Sequence, residues 1–400
     1  MTNFSYIAHI SILYVIRAIC KLIPKKSNLI LFSSWFGQKY ADSSKYMFEY
    51  LLNNGPYCVK WCTCNKNLYA QLKKEKKPVV YTNSLTGIWN QIRAKMFISS
   101  IQLYDFNMFL LHNSVFFDLD HGFSLKQVGF AIPGADINLI KYQMAIRRGI
   151  DYWMSASTIF CKEKIQECYA IDSDHIVKCN KPRTDVLFDE SLRRNKNDIV
   201  ESIKNGRKAV VWMPTHRSCG EIKMPVEKLF NLDSIQKICE QHNFVFIIKK
   251  HFYHKNEKDD LSKYSNIYDL TGEDIDSQVI LSQADALISD YSSSYIEYLV
   301  LDRPIILYTY DKDQFLANER DLYIKLEDNT AGEIVTTKEA FTNSIARISN
   351  DWYDTQYAEG RKKARDLYFD NTISGGDYRA FVSGIIDKLI VGKYTPNWKG

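Results

Sequence analysis

Short apolar runs alternate with helix-periodic stretches along this chain, and that alternation limits its fold more than any other feature. NLILFSSW, from Asn28, is a short apolar strand. The polar turn GQKYADSS leads into KYMFEYLLNN, a helical pattern stopped by Gly55-Pro56, and YCVKWCTC is the next strand. Proline lacks the amide hydrogen that a continuing helix needs, so the pair marks a helix end. PVVYT, KMFISS and SVFFDLDHG read as further strands, and INLIKYQMAIRRGIDYWMSAS as a helix ending before a strand at YWMSAS. Strand, helix, strand in this order builds a parallel sheet.

A second series follows: AVVWMPT, a helix near 225–241, NFVFIIKKH, NIYDLTG, a helix near 276–283, ADALISDYS, a helix near 293–301, and RPIILYTY. Between the two series lies 189–207, DESLRRNKNDIVESIKNGR, charged and poor in core-forming residues, which reads as the link. Four hundred residues exceed one ordinary core, since domains run to about 100–200 residues. The expectation is an α/β protein of two Rossmann-like domains facing a cleft, spanning 28–190 and 205–390, with a separate helix in 1–27. Ligands of such sheets bind beyond the carboxyl ends of the strands.

Hydrophobic residues make up 46% and charged residues 25%, the balance of a folded globular chain. A net charge of +5 permits an anionic substrate or an anionic membrane and demands neither. No dense basic stripe with interleaved aromatics appears, so nucleic acid is not implied. The nine cysteines are odd in number and scattered, which points to a reducing compartment. Cys58, Cys62 and Cys64 share one strand face, but a metal site would need a fourth ligand and a second pair. They read as core thiols, and no metal site is assigned.

Residues Ile7–Ile23 form an apolar run broken by His9, Arg17 and Lys21, too short and polar for a good membrane span and without a signal cleavage site. Ile12, Val15, Ile16, Ile19 and Ile23 recur at helical spacing, with Arg17, Lys21, Lys25 and Lys26 beside them. The pattern suits a helix lying in a membrane interface, and equally a helix packed on the core. Lys141, Arg147 and Arg148 form a candidate basic patch.

Four strand ends carry candidate chemistry. ADALISDY ends at Asp290, and Ser292, Ser293 and Ser294 then open a helix, where hydroxyls and free amide groups suit a phosphate as well as a plain N-cap. VVWMPTHRS brings Thr215, His216 and Arg217 after a strand, and a guanidinium forks onto phosphate oxygens. FVFIIKKHFYH ends in Lys249, Lys250 and His251, and His251 at a strand end is placed to donate to a phosphate. His254, with polar flanks, reads as a solvated loop residue. In VFFDLDHGFSLKQVG, His121 precedes Gly122 just after a strand, a place for a general base oriented by Asp118 or Asp120, or for a surface turn.

Taken in order, HGFSLK, KPRTDVLF (181–188), MPTHR, IIKKH and ADALISDYSSSYIEYLVLDRPIILYTYDKDQF resemble the CDP-glycerol glycerophosphotransferase family of bacterial teichoic acid and capsule polymer enzymes, over roughly residues 28 to 335. The resemblance implies a GT-B-like build with the donor held mainly by the second domain. It implies transfer of glycerol phosphate from CDP-glycerol to a hydroxyl of a lipid-linked acceptor, with release of CMP. It also implies peripheral attachment at the cytoplasmic face of the cell membrane. His121 matches the family's catalytic base and His251 its phosphate-stabilising histidine. Arg217, Lys249, Asp290, Ser292, Ser293 and Arg320 fall on the donor side. The chain departs from the pattern at Phe123 and Ser124 after His121-Gly122, at Phe252 after His251, at Asp321 after Arg320, and at His216, where the family has an aromatic. CDP-ribitol or another polyol donor, an ordinary sugar-nucleotide glycosyltransferase, and a non-catalytic nucleotide-binding scaffold at the membrane surface are the competing readings. No carboxylate triad for Mg²⁺ stands out, so the metal requirement and any other cofactor are left open.

Overall fold

The computed structural model describes residues 3–396 apart from 124, 133, 135, 148, 160–167, 194–198, 218–224, 252–253, 319–321, 329–330, 349–350 and 370–375. The chain forms two compact units. Unit 1 holds Met1–His121, Gly129–Asp185 and Ser374–Gly400, and unit 2 holds Gly122–Val128 and Val186–Ile373.

In unit 1 the strands are β1 (Lys26–Phe32), β2 (Cys58–Thr63), β3 (Val79–Tyr81), β4 (Ala94–Ser99), β5 (Val115–Asp118), β6 (Tyr152–Ser155) and β7 (Ile176–Lys178). They lie in the order β3-β2-β1-β4-β5-β6-β7, every pairing parallel. Unit 2 has β8 (Lys208–Trp212), β9 (Phe244–Ile248), β10 (Ile267–Asp269), β11 (Ala286–Ser289), β12 (Ile305–Tyr308) and β13 (Glu333–Val335). Their order, β10-β9-β8-β11-β12-β13, is again parallel throughout. Both sheets are therefore doubly wound, and the strand order reverses between β1 and β4 in one and between β8 and β11 in the other. Loops leaving the carboxyl ends of those two strand pairs diverge and leave room for a ligand.

The solid apolar runs follow from this layering. A parallel sheet is covered by helices on both faces, so Leu29–Phe32 and Phe244–Ile248 are buried at every position. The unit 2 core packs Trp212, Phe246 and Tyr308 against Phe230, Ile235 and Phe341 from the covering segments.

Several boundaries differ from the sequence expectation. The helix expected near 225–241 is two, Val226–Leu229 and Leu232–His242, because the Asn231 side chain accepts a hydrogen bond from the Ser234 amide and starts a new helix. The charged stretch 189–207 is not a free link. It contributes helices Glu190–Arg193 and Ile199–Lys204 to unit 2, with Val200 buried and Lys204 donating to the Gln283 carbonyl. The chain leaves unit 1 earlier, after Asp185. Residues 374–400 also return to unit 1 rather than closing the second domain. There the Asp185 carboxylate accepts the Tyr378 and Arg379 amides at 2.9 and 3.0 Å, satisfying the open end of helix Tyr378–Ile390.

The amino-terminal helix, Asn3–Cys20, belongs to unit 1 and packs on it along one side. Leu13 and Cys20 are buried, and Arg17 donates twice to the Met108 carbonyl, at 3.0 and 2.8 Å. Ile7, Ile12, Val15, Ile19 and Leu22 remain exposed on the other side. The expected basic patch does not form as such. Arg147 is buried, donating to Gln102 and lying over the Tyr169 ring, while Lys141 is exposed and Arg148 lies outside the described residues. Cys62 is buried and burial pushes its thiol pKa up, as expected of a core cysteine; Cys58 and Cys64 are half-buried.

Candidate active site

In unit 2 the candidate residues gather at the switch point. β8 runs into Met213–Arg217, and β11, its neighbour, runs into Asp290–Ser294. Asp290 is buried. It accepts the Thr215 amide at 2.8 Å and the Thr215 hydroxyl at 2.6 Å on one oxygen, and the Arg217 guanidinium at 2.8 Å on the other. Arg217 also forks onto Asp311, at 2.8 and 3.0 Å, and donates to the Thr215 carbonyl at 2.8 Å. Its guanidinium lies among the rings of Tyr291, Tyr310 and Phe315. Burial opposes its charge, but Asp290 and Asp311 outweigh burial and raise its pKa.

Arg217 and Asp290, both expected to border the donor, thus face each other. Turning Arg217 outward to a phosphate would strand two carboxylates in a site with little water. The pair fixes the β8 loop against the β11 loop. Ser292 is the N-cap of helix Ser293–Tyr298, accepting the Ser294 amide at 3.2 Å, and Ser293 is half-exposed in the first turn. The helix is only six residues long, so its dipole is small and any help to an anion comes from local amide groups.

At the end of β9 the two lysines turn inward. Lys249 donates to the carbonyls of Leu270 and Glu273 at 3.1 and 2.6 Å, and burial lowers its pKa. Lys250 bonds to the Glu257 carbonyl and to Asp259. These contacts fold the loop after β9 back on the sheet end. His251 follows, half-exposed, its ring stacked on that of His216 at a centroid distance of 5.5 Å. His254 is buried, not solvated. A turn, closed by its amide on the His251 carbonyl at 2.8 Å, directs the side chain inward although its neighbours are polar. There its Nε2 lies 3.0 Å from His216 Nδ1 and its Nδ1 lies 3.0 Å from Glu257 Oε1. Arg320 lies outside the described residues, as do Ser124, Phe252 and Asp321.

The remaining candidate, His121, ends the first stretch of unit 1, three residues beyond Asp118 at the end of β5. Asp120 holds a left-handed backbone, φ 56°, which turns His121 out of the strand direction. His121 Nδ1 lies 3.2 Å from Asp120 Oδ1, and the same oxygen accepts the His121 amide at 2.8 Å. Lys181, itself buried, sits 3.5 Å from the other oxygen of Asp120. The ring of Trp35 meets His121 edge-on at 5.6 Å, and Trp35 in turn donates to Asp42 at 2.8 Å, which pairs with Arg183. The side chain of His121 is 48% exposed, and its ring contacts the Asp120 carboxylate and the Trp35 indole.

Of the two carboxylates considered as its orienter, Asp120 takes the position and Asp118 does not. Asp118 points into the sheet end, accepting from the Ser99 hydroxyl at 3.0 Å and the Gln102 amide at 3.4 Å. Burial, reinforced by Asp120, pushes its pKa up to about 6. Phe123, a departure from the family pattern, is buried with its ring edge-on to Phe369 in unit 2. Among the described residues no cluster of three or more metal-ligating side chains is present.

The family model for CDP-glycerol:poly(glycerophosphate) glycerophosphotransferase matches residues 14–374. The chain belongs to this family. A teichoic acid glycerol-phosphate transferase of Staphylococcus aureus is 25% identical over 366 residues, covering 87% of this chain and 90% of the relative. A teichoic acid ribitol-phosphate polymerase of the same organism is 29% identical over 216 residues, covering 50% of this chain but 41% of the relative. The solved structure of the wall teichoic acid polymerase TagF has the same fold, with TM-score 0.74 at 23% identity and 98% of each chain covered. The likeness supports a GT-B-like fold, and the family is one of glycerophosphotransferases.

Sequence reasoning passed over Asp311, Trp35, Asp42 and the His216–His254 pair. Asp311 sat in the quoted YTYD run and His216 beside Arg217, but no local pattern links either to a partner 94 or 38 residues away.

Proposed function

We propose that the protein transfers glycerol phosphate from CDP-glycerol to a hydroxyl of a lipid-linked acceptor, releasing CMP, in the synthesis of teichoic acid or a capsule-type polymer. The observation that carries the reading is the family match, which spans both units and every described candidate residue.

In the proposed step the acceptor oxygen bonds to the phosphorus next to the glycerol. The bond from that phosphorus to the bridging oxygen breaks, and CMP leaves with that oxygen and its negative charge. The hydroxyl proton passes to His121, whose ring Asp120 orients and whose protonated form the same carboxylate stabilises. Such a transfer depends on positioning and on neutralising charge at the transferred group more than on covalent help. His251 supplies a donor to the diphosphate, and the Ser292–Ser293 turn supplies hydroxyl and amide hydrogens. Lys249, Arg217 and Asp290 act one layer behind: they hold the loops after β9, β8 and β11 that carry these groups.

Peripheral attachment at the cytoplasmic face of the membrane fits the amino-terminal helix. Its exposed Ile7, Ile12, Val15 and Ile19 form an apolar side, and Leu22, Lys21 and Lys26 are exposed just beyond its end, where anionic headgroups would lie. Among the described residues no helix is long and apolar enough to cross a membrane.

A ribitol phosphate donor is the second reading, favoured by the ribitol-phosphate relative over half of this chain. Purified protein offered CDP-glycerol or CDP-ribitol with a lipid-linked acceptor decides between them. Acceptor-dependent CMP release with CDP-glycerol is the expected result. Release with CDP-ribitol alone keeps the family and changes the polyol, and release with neither removes the transferase reading.

A further inference from the structure

Glu257, His254, His216 and His251 stand in a row at the carboxyl ends of β8 and β9. We propose that Glu257 and His254 are positioning residues that fix, through His216, the ring of His251 against the donor diphosphate. The proposal rests on the donor role given to His251 above.

The chemistry of the row settles who donates. A carboxylate only accepts, so Glu257 Oε1, 3.0 Å from His254 Nδ1, takes a hydrogen bond from that nitrogen. Neutral His254 then has its lone pair on Nε2. That atom lies 3.0 Å from His216 Nδ1, so the contact is a hydrogen bond only when His216 carries its proton on Nδ1. Glu257 therefore selects the tautomer of His216 through one intervening ring. His254 is buried, so water competes little for either bond. Lys250, the cation on the same loop, is bound to the Glu257 carbonyl and to Asp259.

The last link is a stack. The rings of His216 and His251 lie 5.5 Å apart at 29°, within the usual range of offset aromatic pairs. The face of His216 favours one orientation of the His251 ring, and His216 cannot rotate without breaking its bond to His254. The chain departs from the family pattern at His216, where an ordinary aromatic would give the stack without the hydrogen bond.

A double-mutant cycle tests it. His216→Phe keeps a ring over His251 and removes the bond, and His254→Phe removes both hydrogen bonds. Each single variant is expected to lower kcat for CMP release about tenfold, with a smaller change in KM and with folding matched by thermal melting. The double variant is expected to be no worse than the poorer single one, because both cut the same chain of contacts. Losses that multiply would overturn the proposal. A second readout needs no turnover: in ¹⁵N-histidine spectra, His216 is expected as the Nδ1-protonated tautomer in the wild type and in Glu257→Gln, which keeps an acceptor. Glu257→Leu is expected to lose that signature. A wild-type His216 protonated on Nε2 alone would also overturn the proposal. If no variant or wild type releases CMP, the transferase reading fails while the spectra still decide the relay.

Discussion

The two units handle charge in opposite ways. Unit 1 offers one histidine, half exposed, steadied by Asp120 and Trp35. Unit 2 buries Arg217 between Asp290 and Asp311, and folds Lys249 and Lys250 onto carbonyls and a carboxylate. Both arrangements stand at the carboxyl ends of doubly wound sheets, so topology alone does not distinguish them. The difference teaches that a cation near a proposed phosphate site need not touch phosphate. Burial and pairing separate the half-exposed His121 from the buried charges that hold others in place.

That contrast is broken most directly at its two extremes. His121→Ala is expected to lower kcat by about 10²–10⁴ while the thermal midpoint barely moves, since the side chain is half exposed. A large loss of stability in that variant would place His121 among the structural residues. Arg217→Ala is expected to do the reverse, losing about 3–5 kcal/mol of unfolding free energy by taking the cation from buried Asp290 and half-buried Asp311. Denaturant titration measures it. Arg217→Lys is expected to recover little, because one ammonium cannot replace the fork on Asp311.

Asp118 sharpens the comparison inside unit 1. Its folded pKa of about 6 exceeds the ordinary value of a free aspartate, so between about pH 4 and 6 the folded state holds a proton that the unfolded chain has lost. Unfolding free energy then falls as pH rises through that window, by up to about 3 kcal/mol, and levels off above it. Asp105, pushed up to about 7 chiefly by burial, adds a larger fall of the same sign between about pH 4 and 7. Asp118→Asn, which keeps an acceptor for Ser99 and Gln102, is expected to flatten the Asp118 part of the slope. An unchanged pH profile would contradict the burial account.

Two smaller effects complete the set. Asp120→Asn is expected to lower kcat about tenfold by weakening the orientation and charge stabilisation of His121. Replacing Ile12, Val15 and Ile19 together by Gln is expected to weaken binding to anionic vesicles at least about tenfold, and to leave folding intact because all three are exposed. Point changes serve better than removing the helix, since Leu13, Cys20 and Arg17 are built into unit 1.

How far the sequence could be read follows from the reach of each interaction. Strands β1–β6 and β8–β12 were visible because burial shows as apolar runs such as FVFII and ALIS, whereas the three-residue edge strands Ile176–Lys178 and Glu333–Val335 were not read. His121, His251 and Asp290 were visible because strand ends place them. The return of helix Tyr378–Ile390 to unit 1 was not, since what anchors it is Asp185, 193 residues away. His254 was misjudged from its polar neighbours because a single turn decides which way a side chain points. The pairing of Arg217 with Asp290 and Asp311 was not legible because neither carboxylate is near it in sequence.

The central claim is that an exposed histidine in unit 1 performs proton transfer in a glycerophosphate transfer. The most direct measurement is acceptor-dependent CMP release from CDP-glycerol by wild type and by His121→Ala of equal thermal stability. The account predicts release by the wild type and a fall of about 10²–10⁴ in the variant. Equal rates in the two proteins would contradict it.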